Sequence, residues 1–194
     1  MSGRTRTTLV GLALALGFVS PFLVGIVAER RLRDNHLESP EHHQRPVFEN
    51  AGIKYALDFR HALTRGKSAR KSVFLYFTGE TSGNARKMEK NVLSLPSVTG
   101  RLRKFECSAV FIDHVPFVDA KAASRLYEQN HKLEILTGDV SCPKFLVVTA
   151  DFDPHSPAAD EKVIATLYGY HNDAAGFAKF LDDALQKWSR RLTP

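Results

Sequence analysis

Residues 71–96 read KSVFLYFTGETSGNARKMEKNVLSLP, and this stretch decides the fold. Residues 73–77 form an unbroken apolar and aromatic run, the composition of a strand covered on both faces. Gly79 breaks the run. Ser82 then stands where a helix N-cap belongs, and Ala85, Met88 and Val92 recur at helical spacing. The expectation is a buried strand, a tight turn and a helix that ends before Pro96.

The sequence outward from that unit is α/β in character. A helix is expected over residues 51–65, with Ile53, Ala56, Leu57 and Leu63 on or near one face, followed by a break at GKSARK. Residues 107–113 (CSAVFID) read as a second buried strand. Residues 120–130 read as a helix, and 131–141 as less regular, with Gly138 as a break. Residues 144–148 are a third core strand and 163–168 a fourth, joined by an acidic surface hairpin loop over 150–161. Its Asp151, Asp153 and Asp160 lack calcium-loop spacing. A final helix spans 173–192, capped by Asn172 or Asp173, with Phe177, Phe180, Leu181, Ala184, Leu185, Trp188 and Leu192 on one stripe.

The segment FTGET, then Ser82-Gly83-Asn84-Ala85, then Arg86-Lys87-Met88-Glu89 resembles the active-site segment of thioredoxin-fold proteins. The nearest likeness is to the C-terminal thioredoxin-like domain of DsbD-type thiol-disulfide interchange proteins, and it covers residues 51–185. The resemblance implies an α/β thioredoxin-like fold, a mixed central sheet flanked by helices. It also implies that Pro143 is a cis-proline feeding the third core strand, and that Cys142 lies against the turn after the first strand. Where the family has Cys-x-x-Cys, however, this chain has Ser82 and Ala85 at the two cysteine positions. Dithiol exchange needs a low-pKa thiolate and a second thiol to resolve the mixed disulfide. A serine hydroxyl and an alanine methyl supply neither, so two-cysteine catalysis is not expected.

The chain has 194 residues, 43% hydrophobic and 25% charged, which suits one globular domain with appendages. Its two cysteines, Cys107 and Cys142, exclude a disulfide-dense scaffold and a multi-cysteine zinc site. Cys107 reads as a core thiol. A Cys107–Cys142 disulfide is not expected, because the implied sheet puts the two at opposite ends.

Three regions follow. Residues 1–28 are read as a signal anchor: positions 8–28 carry no charge and would make a helix about 31 Å long, enough to cross a hydrocarbon core. Cleavage would put Ala28 at −1 but leave Ile26 as a poor −3 residue. Arginines on both sides leave the orientation open, and the resemblance places the domain in a periplasm-like space. Residues 29–50 are a polar linker whose His36, His42 and His43 form no closed metal set. Residues 51–194 are the thioredoxin-like domain.

The net charge of +6 is uneven: residues 60–104 hold eleven Lys/Arg against only Glu80 and Glu89. No nucleic-acid motif accompanies this charge, and no cofactor or metal is called for. Three functions follow as expectations. The first is binding of a protein or extended peptide in the former active-site groove, by Gly79, Glu80, Thr81, Ser82, Gly83, Asn84, Ala85, Cys142 and Pro143. The second is thiol exchange by Cys142 alone. The third is a structural accessory of a membrane complex, with the basic face on lipid.

Overall fold

The computed structural model describes residues 46–193. The expected span at 8–28, most of the linker and the three linker histidines lie outside the described residues. Among those described, no helix is long and apolar enough to cross a membrane.

The chain enters through a β-hairpin, not the helix expected over 51–65. Strands β1 (Val47–Asn50) and β2 (Ile53–Ala56) pair antiparallel, so the last four residues assigned to the linker belong to the sheet. Ala51 and Gly52 both have positive φ, 48° and 75°, the geometry of a two-residue hairpin turn that matches strand twist. The apolar period here is two: Ile53 and Tyr55 are buried while Lys54 is exposed. Helix α1 (Phe59–Ala69) starts only after Asp58, whose carboxylate accepts the Arg60 N–H at 3.0 Å. It also runs into the expected break, as far as Ala69. Gly66 lies inside it because a Cβ there would come within 2.8 Å of the Val73 side chain and 3.0 Å of the Lys71 carbonyl. Arg70, in the left-handed conformation, ends it.

Strand β3 (Val73–Thr78) is buried at every position. Helix α2 (Gly83–Met88) follows, capped by Ser82, and continues as a π-helical turn over Glu89–Leu93. Helix α3 (Pro96–Leu102) begins on Pro96, and β4 (Glu106–Phe111) lies parallel to β3. Helix α4 (Ala120–Leu136) is one turn and a half longer than expected, because Leu133 and Glu134 are buried where no clean stripe marked a helix. Strands β5 (Lys144–Val148) and β6 (Val163–Tyr168) form the antiparallel edge. The acidic connection between them holds a short helix α5 (Ala159–Lys162), and α6 (Ala174–Leu192), capped by Asp173, closes the domain.

The sheet order is β1-β2-β4-β3-β5-β6, with β3 at the centre. Two apolar layers sandwich it. Phe74, Tyr76, Phe145 and Phe177 pack with Met88, Leu102 and Leu181 on one face. Leu75, Phe77, Leu146 and Phe152 pack with Phe59, Ala62 and Leu133 on the other. Because β3 and β4 are parallel and β5 opposes them, the turn after β3, the loop after β4 and the loop before β5 meet at one end of the sheet.

Candidate functional site

That end carries every site residue the sequence singled out, and the structure sorts them by access. Glu80, Thr81, Gly83 and Asn84 are exposed, and Ser82 and Cys142 are half-buried. Gly79, Ala85 and Pro143 are buried beneath them.

The turn is held by a carboxylate that the sequence marked only as a strand end. Asp113 accepts the Glu80 N–H at 2.9 Å, and the N–H and hydroxyl of Thr81 at 2.8 Å each. Burial pushes its carboxyl up, but these bonds and one from the His114 N–H outweigh it and hold Asp113 at about 2. Gly79 is required beneath it, since a Cβ there would come within 2.9 Å of Asp113 Oδ2.

Under the helix start lies a polar network. Arg86 Nη2 donates to Thr78 Oγ1 at 2.8 Å and pairs with Glu89 at 2.6 Å. The Tyr76 hydroxyl lies 3.0 Å from Glu89 Oε1 and 3.3 Å from the Ala85 carbonyl. Burial raises the Glu89 carboxyl despite Arg86. The i,i+3 spacing of Arg86 and Glu89 was a visible signal of an ion pair. Their engagement of Tyr76 and Thr78 was not, because it depends on which face of β3 meets α2.

The Cys142–Pro143 peptide bond is cis. Burial raises the Cys142 thiol, and a hydrogen bond with the Ser82 side chain lowers it less, so the thiol is protonated at neutral pH. The pair brings the turn and the proline loop together. The Cys142 N–H and C=O make no hydrogen bond among the described residues. The loop itself is anchored by Lys144, whose buried Nζ donates to Thr137 Oγ1 at 3.1 Å and to the Gly138 and Asp139 carbonyls at 2.9 Å, 4.2 Å from the Phe77 ring centre. Cys107 is remote: it pairs in register with Phe74 at the far part of the sheet, and burial pushes its thiol well up. Both cysteines are free. Phe117, in the loop that Asp113 begins, is 70% exposed and held at φ 65°, a strained conformation for a bulky residue.

No protein-family model matches the chain, and no curated protein matches it. Among solved structures it is similar to a DsbH oxidoreductase, at 16% identity and a TM-score of 0.53 over 79% of this chain and 98% of that one. The fold is thioredoxin-like. Other thioredoxin-like neighbours include a thioredoxin from Thermus thermophilus, at 20% identity and a TM-score of 0.49, covering 68% of this chain and 86% of that one. The oxidised C-terminal domain of DsbD from Neisseria meningitidis shows 18% identity and a TM-score of 0.44, covering 64% of this chain and 90% of that one. Within this thioredoxin-like domain, the turn after β3 holds Ser82, Gly83, Asn84 and Ala85. No thiol lies in the turn. The nearby thiol is that of Cys142.

Proposed function

We propose that this chain is a membrane-anchored thioredoxin-like domain that binds a protein or extended peptide between the 79–85 turn and Cys142-Pro143, without two-cysteine redox chemistry. The observation that carries this reading is the free backbone N–H and C=O of Cys142, half-buried beside Ser82. An extended chain laid there gains main-chain hydrogen bonds of the strand-addition kind. Phe117 adds an exposed apolar contact on the loop that Asp113 docks to the turn. Strain at such an exposed aromatic supports a binding role, since folding stability gives no reason for it. The membrane anchor rests on the uncharged run of residues 8–28, and the resemblance supports a periplasmic side for the domain.

The alternatives are weaker. Single-thiol exchange by Cys142 needs a thiolate, and burial opposes one. A purely structural accessory would leave the free backbone groups of Cys142 without a use.

The test is fluorescence anisotropy of labelled unfolded peptides with the full chain. Gly83 has open space where a Cβ would stand, so Gly83→Trp adds bulk at the turn without a clash at Cβ. Peptide affinity is expected to fall about tenfold or more in Gly83→Trp, the scale of losing a well-packed contact. Phe117→Gly is expected to weaken binding while raising thermal stability, because it relieves the positive φ. Affinity unchanged in both variants would remove the groove from consideration.

A further inference from the structure

The positive charge that the sequence spreads over 60–104 divides between the two ends of the sheet. Arg86 and Lys87 lie at the groove end. Most of the rest gathers at the opposite end, because the residues leading into two parallel strands must lie together. Arg65, Lys67, Arg70 and Lys71 come from the close of α1 and the step into β3, and Arg103 and Lys104 come from the step into β4. The segments touch: Lys71 Nζ reaches the Arg103 carbonyl at 3.4 Å, and the β1–β2 turn at Gly52 approaches the Arg103 guanidinium. Lys54, on β2 beside that turn, joins them.

Two carboxylates stand in or beside this cluster, Glu106 and, across the β1–β2 pair from Lys54, Glu49. Glu106 pairs with Arg65 at 2.8 Å and Lys71 at 3.7 Å, which uses it up. Lys54, Lys67, Arg70, Arg103 and Lys104 are exposed, and their side chains make no ion pair or hydrogen bond among the described residues. Five cations without an ion pair, drawn from three segments, have no exposed large aromatic among them. Charge spread over separate segments in this way suits a diffuse anionic surface better than a nucleic acid or a shaped peptide. The β5–β6 side of the same end carries Asp153, Asp160 and Glu161, so the positive surface covers only the β2, β4 and β3 half.

We infer that this basic end docks the domain on the anionic headgroups of a lipid bilayer, tilted so that the acidic β5–β6 connection lifts away. Strand β3 separates this end from the 79–85 turn by six residues, about 20 Å. Docking therefore turns the groove away from the lipid and toward whatever it binds. The inference rests on charge placement and stands or falls apart from peptide binding.

Lysine acetylation followed by mass spectrometry tests it on the full chain with nanodiscs of phosphatidylcholine alone or with roughly one-third phosphatidylglycerol. The comparison reads the same way whether or not residues 8–28 insert. Lys54, Lys67 and Lys104 are expected to acetylate about fivefold more slowly on the anionic discs, with recovery in high salt, while Lys121, Lys132 and Lys179 keep one rate. The variant Arg70→Gln/Arg103→Gln/Lys104→Gln is expected to abolish the slowing at Lys54 and Lys67 with unchanged thermal stability. Equal rates on both discs, or equal slowing on both, would overturn the inference. So would protection by soluble polyglutamate but not by anionic discs, which would assign the surface to an acidic protein.

Discussion

Asp113 Oδ2 accepts both the backbone N–H and the hydroxyl of Thr81, each at 2.8 Å. A side chain at the end of β4 thereby fixes the backbone of the turn after β3, and Oδ1 adds the Glu80 N–H. The turn that would contact a ligand is shaped by a residue 32 positions away in the chain.

This relationship has a pH signature. Asp113 sits at about 2, below its ordinary 3.8, because hydrogen bonds from the turn outweigh the effect of burial. A depressed carboxylate contributes stability that is full above its unfolded pKa and is lost as pH falls through the folded one. Asp113→Ala is expected to cost on the order of 1 kcal/mol at neutral pH, once solvent screening is allowed for. Urea titrations should show that deficit shrinking between about pH 4 and pH 2. A deficit that stays constant across this window would mean that the charge does not hold the turn. Gly79→Ala should destabilise at all pH values, by about 1–3 kcal/mol, since its Cβ displaces the same carboxylate.

Glu89 has the opposite sign. Burial raises its carboxyl, with Arg86, Tyr76 and Thr78 acting against it, so ionisation costs stability as pH rises from the unfolded carboxylate range through the folded value. Glu89→Gln should therefore lose less stability than the parent over that rise. Glu89→Ala takes the ion-pair partner from Arg86 and one acceptor from the Tyr76 hydroxyl, at a cost of about 2–3 kcal/mol. Paired urea melts of the two variants would separate charge from bonding. Identical melts would show that the hydrogen bonds of Glu89 add nothing beyond its charge.

Cys142 should alkylate more slowly at neutral pH than an unfolded cysteine peptide, because burial raises its thiol. Ser82→Ala removes the hydrogen bond that partly counters burial, and should slow Cys142 further. Cys107 should stay unmodified until the chain unfolds. Iodoacetamide kinetics against pH decide the matter. Rapid alkylation of Cys142 at neutral pH would restore the single-thiol reading.

Lys144→Met should leave the Gly138 and Asp139 carbonyls and the Thr137 hydroxyl without their shared donor. The expected cost is about 2–3 kcal/mol, with faster amide exchange confined to residues 137–142. Exchange that quickens across the whole sheet instead would make Lys144 a general core residue and not the anchor of this loop.

Much of the fold was legible because its signals are local. The run of residues 73–77, the Ser82 cap, Pro96 and the stripe from Phe177 to Trp188 each report on their own neighbourhood. The β1–β2 hairpin was misread as a helix because Ile53, Ala56 and Leu57 satisfy helical spacing as well as the alternation of Ile53 and Tyr55. Pairing with β1, and with β4 through Ala56 and Ser108, tips the balance. Helix α4 was cut short because Ile135 and Leu136 are exposed, which blurs its stripe.

The sequence by itself determined the chemistry at hand: serine and alanine in the turn, one cysteine before Pro143, and an excess of cations before two strands. Residue identity sets which bonds and charges are possible, and no folding changes it. Only the tertiary structure decided what those residues do together. It placed Asp113 over the turn, buried Glu89 beneath the helix, shielded the Cys142 thiol and gathered the cations of α1 and β4 at one end. Each of these depends on strand order and direction, which bring distant segments within hydrogen-bonding or Coulombic reach and remove the water that would otherwise screen them.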